Sequence, residues 1–156
     1  MSSSGKGQAG LILAQKLTGR AFAVHCVTAT REFDVPSRTA AIANESAEAL
    51  GFDLHISEDD VVNFDNFVGP GYGKPSEAGN EAVRLFARHE GVILDPIYTG
   101  KAAAGLIAHL RNGRFGRDDV LVFVHTGGTP ANFTWSDLWI GEPRESGRSP
   151  AGTANS

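Results

Sequence analysis

A single cysteine, Cys26, stands in this chain of 156 residues, so no internal disulfide can form and the sequence fits a reducing, cytoplasmic setting. Cys26 lies in an apolar stretch and reads as a small buried hydrophobe. No run approaches the roughly 20 consecutive apolar residues of a membrane-spanning helix, so no membrane partner is expected. Lysine and arginine do not cluster, and the formal net charge is -4, which leaves no electrostatic footprint for nucleic acid. His25, His55, His89, His109 and His125 are scattered, without H-x-x-x-H spacing or a cysteine pair, so no metal site is expected. Neither a phosphate-loop lysine motif nor a G-x-S-x-G nucleophile elbow occurs. The opening Met1-Ser2-Ser3-Ser4-Gly5 has neither the basic region nor the apolar core of a secretory leader.

What is present is the pattern of an ordinary globular domain, with 41% hydrophobic and 21% charged residues. A chain of this size buries roughly 70% of its unfolded surface. Helical periodicity covers Gln8 to Thr18 with Gly19 as its stop, and Ser37 to Leu50 with Gly51 as terminator. Pro75-Ser76-Glu77 opens a third helix that ends near Gly91, and Gly100 to Asn112 forms a fourth. Ala21 to Val27, Asp53 to Ile56, Val92 to Leu94 and Val120 to Val124 read as strands. The last two do not alternate with polar residues, so burial on both faces is expected. The stretch from the third of these elements' upstream neighbour, residues 57–74, reads as acidic and irregular. This order predicts an α/β fold, a parallel sheet flanked by helices. From Gly141 onward the chain carries no large apolar residue and is expected to be disordered, which sets domain bounds of 1–140 and a tail of 141–156.

The chemistry-bearing residues gather where a parallel sheet places its ligands, beyond the carboxyl ends of strands. Gly5-Lys6-Gly7-Gln8-Ala9-Gly10 opens a helix, and the free backbone N–H groups of such an end suit a phosphate. A dinucleotide fold would need a strand directly before this turn, and only four residues precede Gly5. Tyr72 and Tyr98, the only two tyrosines, lie in glycine-flanked loops. Tyr98 and Thr99 follow an apolar run; Thr99 read alone is a helix N-cap, and Tyr98 a boundary aromatic. His125-Thr126-Gly127-Gly128 reads equally as a turn or as a loop that lets backbone approach a ligand.

Taken together, four segments are far more specific than any one. They are Gly69-Pro70-Gly71-Tyr72-Gly73-Lys74-Pro75, Glu81-Ala82-Val83-Arg84-Leu85, Glu90-Gly91-Val92-Ile93-Leu94-Asp95-Pro96-Ile97-Tyr98-Thr99-Gly100-Lys101, and His125-Thr126-Gly127-Gly128-Thr129-Pro130-Ala131. In this order they resemble the D-cysteine desulfhydrase and 1-aminocyclopropane-1-carboxylate (ACC) deaminase family of pyridoxal-phosphate enzymes, of the tryptophan-synthase-β-like fold. The resemblance covers residues 2–135 and corresponds to the C-terminal part of such an enzyme. It implies that Ser4, Gly5, Lys6, Gly7 and Gln8 belong to the loop cradling the cofactor phosphate. Family members usually carry small or hydroxyl residues where Lys6 and Gly7 stand, so here the backbone amides remain and a side-chain donor is lost. Tyr72 and Tyr98 match two active-site tyrosines, Tyr98 being the one assigned to substrate or proton exchange. Thr99 falls where a residue faces the pyridine nitrogen, and Thr126 and Gly127 where a loop closes the cofactor pocket. Deaminases carry glutamate at the Thr99 position, so the resemblance leans toward β-elimination from D-cysteine, giving pyruvate, sulfide and ammonia, over deamination of the cyclopropane substrate.

The resemblance also implies a covalent lysine for pyridoxal phosphate, well upstream of the phosphate loop. The four lysines here, Lys6, Lys16, Lys74 and Lys101, do not match that position. The expectation is therefore a fold lacking its N-terminal half, a small amino acid as substrate, and no turnover by this chain alone. The other readings are a non-catalytic module binding a phosphate ligand or partner chain, an enzyme completed by a separate N-terminal chain, and a homo-oligomer of the kind common among relatives.

Overall fold

A computed structural model of the chain describes Met1 and residues 3–140. Six α-helices, two strands and a 3-10 turn at Glu58–Asp60 make up the regular structure of the described residues: α1 (Lys6–Thr18), β1 (His25–Val27), α2 (Val35–Ala49), β2 (Val62–Phe64), α3 (Glu77–Glu90), α4 (Thr99–Arg111), and the single turns α5 (Ala131–Thr134) and α6 (Asp137–Ile140). The strands pair in parallel, His25 opposite Val62 and Val27 opposite Phe64. The result is an α/β arrangement with a small parallel sheet flanked by helices.

The long helices form for local reasons. Ser76 caps α3 by accepting from the Gly79 N–H at 3.1 Å, and Gly91 ends it in the left-handed conformation. Helix α2 begins two residues before the expected cap: the Asp34 carboxylate accepts from the Ser37 N–H at 3.2 Å, so Asp34 and not Ser37 is the capping residue. Pro36 fits there because a first-turn residue has no helical N–H bond to lose.

Two apolar clusters hold these elements. Ala9 and Ile12 of α1 pack with Ala40 and Ala43 of α2 and with Ile56 and Val61. Ala82 and Val83 of α3 pack with Ala103 and Ala104 of α4 and with Leu94, flanked by Phe67, Phe86 and Phe123. The sheet lies between them, α2 against β2 and α4 against β1. The approach of α4 is close, since a Cβ at Gly105 would stand 2.5 Å from Val27 Cγ2. Cys26 is buried in β1 as expected, and burial pushes its thiol pKa up, which keeps it inert.

The strand expectations need correction. Only the last three residues of Ala21 to Val27 pair, Asp53 to Ile56 forms no strand, and the second strand is Val62–Phe64, inside the stretch expected to be irregular. Val92 to Leu94 and Val120 to Val124 join no ladder among the described residues. Nor are they buried on both faces: Leu94 and Phe123 turn toward the α3/α4 cluster, while Val120 is 90% and Val122 81% exposed. Two-sided burial needs a layer on each side, and here one side alone is covered. The tail expected to be disordered, residues 141–156, lies outside the described residues.

Candidate functional site

Asp95 organises the centre of the site. Its carboxylate accepts from the Ile97 N–H at 2.9 Å and the Tyr98 N–H at 2.6 Å through Oδ1, and from the Thr99 N–H at 2.9 Å and Thr99 Oγ1 at 2.5 Å through Oδ2. Thr99 Oγ1 in turn accepts from the Asp95 N–H at 2.9 Å. The first-turn amides of α4 would otherwise lack partners, and this side chain supplies them. Thr99 is therefore not the cap. It is a buried first-turn residue whose hydroxyl proton is given to Asp95.

The same capping fixes Tyr98 at the helix entrance. Its hydroxyl lies 3.0 Å from that of Tyr72, with the rings edge-to-face at 6.1 Å between centroids. The hydrogen bond with Tyr72, then burial, pushes the Tyr98 pKa up to about 12. Tyr98 thus holds its proton throughout the neutral range and can donate it or pass it on.

Tyr98 also lines a cleft of about 340 Å³ together with Ser3, Ser4, Thr126, Gly127 and Gly128. Ser3 and Ser4, just before α1, stand at one wall. Gly5 enters α1 at φ 82, a left-handed conformation, and no side chain caps the helix. A Cβ on Gly5 would lie 2.7 Å from Thr39 Oγ1. Lys6 and Gly7 are exposed in the first turn, whereas the Gln8 side chain turns inward and donates to the Val62 carbonyl at 3.0 Å. Gln8 can offer a ligand only its backbone N–H. The buried Ser3 Oγ has no hydrogen-bond partner.

The opposite wall is set by Asp95 as well. Gly128 has φ 96, and a Cβ there would fall 2.3 Å from Asp95 Oδ2. The loop is further tied by His125 Nε2 to the Ile93 carbonyl at 3.1 Å and by the Asn132 amide donating to the Leu94 carbonyl at 3.0 Å. A second cleft of about 330 Å³, lined by Thr30, Arg31, Gly71 and Tyr72 among others, lies beside the tyrosine pair.

Of the residues expected from sequence, Ser4, Tyr98, Thr126 and Gly127 meet around one cleft, Gly5, Lys6 and Gly7 form the adjoining helix entrance, and Tyr72 joins through its hydroxyl. Thr99 and the Gln8 side chain are turned away from it. Sequence reasoning missed the organising role of Asp95 and the need for glycine at 128. The signal was Asp95-Pro96 placed four residues before Thr99, the spacing of an aspartate that bonds the amides after it.

Comparison with known proteins places this geometry. The family described as pyridoxal-phosphate dependent enzyme matches residues 2–127. D-cysteine desulfhydrase of Salmonella paratyphi C (strain RKS4594) is 46% identical over 101 residues, 65% of this chain and 29% of that protein. D-cysteine desulfhydrase of Salmonella typhi is 47% identical over 95 residues, 61% of this chain and 27% of that protein. The crystal structure of an ACC deaminase homologue superposes with a TM-score of 0.77 at 30% identity, covering 87% of this chain and 40% of that one. The chain spans less than a third of the length of the curated relatives it matches.

Proposed function

Because the chain belongs to the pyridoxal-phosphate-dependent enzyme family, we propose that residues 1–140 form the phosphate-binding and tyrosine side of a D-cysteine desulfhydrase-like site. The observation that carries this reading is the Tyr72–Tyr98 hydroxyl pair, 3.0 Å apart, at the rim of the cleft walled by Ser3, Ser4, Thr126 and Gly127.

The residues present fit the phosphate end of the cofactor. An uncapped helix entrance offers the amides of Lys6, Gly7 and Gln8, and the unpartnered Ser3 hydroxyl supplies a polar group beside them. The cleft volume lies in the range of small-molecule sites. Bound pyridoxal phosphate supplies an electron sink for charge released at a substrate carbon. In this reading Ser4, Gly5, Lys6, Gly7 and Gln8 hold the phosphate through backbone N–H groups, and Thr126 and Gly127 close over the cofactor. Tyr98, its pKa pushed up to about 12, holds the proton at its hydroxyl, and Tyr72 orients that hydroxyl. Thr99 carries no charge, and its hydroxyl is tied to Asp95 inside the buried first turn of α4, so it presents no charge toward the cofactor. A glutamate would offer a charge there, which is why the reading favours β-elimination from a small amino acid such as D-cysteine over the deaminase reaction.

The described residues that wall the cleft bring it no lysine amine. Lys16 is paired with Asp60 at 2.5 Å, and Lys101 is buried with its Nζ on the Gly71 carbonyl. The reading is therefore binding without turnover by this chain alone, with the amine supplied by the remaining part of the family fold or by a partner chain. A cytoplasmic location goes with it, supported by the lone buried thiol.

The test is to add pyridoxal phosphate to the purified chain, measure binding by equilibrium dialysis, reduce with borohydride, and map adducts by mass spectrometry. Saturable binding with no stoichiometric adduct, and its loss in Gly5→Val, is the expected result. A stoichiometric adduct at one lysine would overturn the claim that the amine is missing, and absence of binding would overturn the phosphate site itself.

A further inference from the structure

Among the described residues, Lys101 is the largest to be completely buried, at 0% exposed. An ammonium group removed from water is costly unless it finds a partner. Its partner is the backbone carbonyl of Gly71, 3.0 Å from Nζ. Burial pushes the Lys101 pKa down, while the charge of Asp95 opposes that shift.

The location of this bond matters more than its strength. Residues 69–73 run Gly-Pro-Gly-Tyr-Gly, so Tyr72 is the only side chain in the loop able to make a polar contact. The one backbone bond to this loop segment is a long one, from the Lys74 N–H to the Gly71 carbonyl at 3.4 Å. Glycine-rich backbone has many conformations to lose, and without an anchor this loop has little to select one. Lys101 reaches across from α4 to the residue directly before Tyr72. The same helix entrance fixes Tyr98 through Asp95, whose Oδ1 accepts the Tyr98 N–H at 2.6 Å. Two buried side chains of opposite charge, six residues apart, thus hold the two tyrosine-bearing segments on one helix end.

We propose that Lys101 is a positioning residue: by holding the Gly71 carbonyl it sets Tyr72 so that its hydroxyl meets that of Tyr98. The chemical use of the pair rests on the function proposed above, but the positioning itself is a property of the ligand-free chain. Lys101 touches neither cleft wall and acts only through Gly71.

The chain has two tyrosines and both belong to the pair, so labelling tyrosine with ¹³C at Cζ reads the pair directly. In the wild type at pH 7, NMR should give a ring-to-ring contact between Tyr72 and Tyr98, and a contact from the Lys101 Cε protons to the Gly71 Cα protons. Lys101→Met keeps the length and removes the donor. It should lose the ring contact and return the Tyr98 pKa from about 12 toward the ordinary value of about 10, with the circular dichroism spectrum unchanged. Lys101→Arg, which keeps a charged donor, should recover the ring contact in part. Tyr72→Phe supplies the reference for a broken pair with Lys101 intact. A folded Lys101→Met chain that keeps the ring contact and the raised pKa overturns the proposal. Absence of the Lys101–Gly71 contact in the wild type overturns it too, whether or not the variant folds. None of these readings needs pyridoxal phosphate, so failure of cofactor binding and failure of the positioning role are separate results.

Discussion

The α1–β1–α2–β2 half is of mixed sequence and the segments 92–94 and 120–124 are wholly apolar, yet it is the mixed region that buries its apolar residues better. Ile12 is 1% exposed and Val120 is 90% exposed. In the first region helices lie against the paired strands, so Ile12, Ala40, Ile56 and Val61 have something to pack against. In the second, alternation sends Leu94 and Phe123 toward α3 and α4 and turns Ile93, Val120, Val122 and Val124 outward. Among the described residues nothing is laid over this outward row. A contiguous exposed apolar patch of this kind marks a surface built to be covered. In the reading proposed above, the remaining part of the family fold is what covers it, and it sits next to the loop that carries Thr126 and Gly127.

The largest effect expected from this contrast is on stability. Ile12→Ala should cost about 3 kcal/mol through lost burial and the cavity left behind. Val122→Ala, at a site already 81% exposed, should stay within about 0.5 kcal/mol. Urea denaturation of both variants decides it, and equal losses would erase the distinction between the two regions.

The helices were legible because their signals are local. Ser76, Gly19 and Gly91 act within a turn of their own positions, and the structure uses each where the sequence places it. Strands are not local. Val62–Phe64 is short and mixed, and it becomes a strand only because β1 lies beside it. Val120 to Val124 is a better strand by composition and pairs with nothing among the described residues. The site divides in the same way. The Tyr98 and Thr126 loops could be read as converging because each follows an apolar run. The turning of Thr99 and Gln8 away from the cleft could not, because it depends on Asp95 and on the Val62 carbonyl as partners.

A second, smaller effect separates the glycines of the 127–128 loop, which joins the uncovered segment to the site. Both have positive φ, 99 and 96, but a Cβ meets nothing within 4 Å at Gly127 and meets the Asp95 carboxylate at 2.3 Å at Gly128. Gly127→Ala should cost only the backbone term of about 1 kcal/mol, and Gly128→Ala about 2 kcal/mol. Gly128→Ala should also disturb the Asp95 bonds that hold Tyr98, so its Tyr98 resonance should shift while that of Gly127→Ala stays. If both variants lose the same stability and leave Tyr98 alone, the loop does not rest on Asp95.

The smallest expected effect lies where α4 packs on the sheet. His25 and His109 share an aromatic cluster with Phe64 and Phe115, His109 also meeting Phe67 at 5.7 Å. Burial, and then the Arg114 guanidinium, lowers both imidazole pKa values, with His25 adding to the effect on His109. The folded chain then binds fewer protons than the unfolded chain just below the unperturbed value of about 6.5, so stability rises with pH there. The contribution is intact above that value and is lost as pH falls through it toward the lowered folded values. Asp60 also has a lowered pKa, chiefly from its hydrogen bond with Lys16, but its contribution is lost only as pH falls below the usual carboxylate range near 3.8. The two windows do not overlap, so denaturation between pH 7 and pH 5 reads the histidines. His109→Phe removes one titrating ring, along with a buried Nε2 that has no partner, and should flatten the slope in that window. An unchanged slope would place the acid sensitivity elsewhere and leave the aromatic cluster a matter of packing alone.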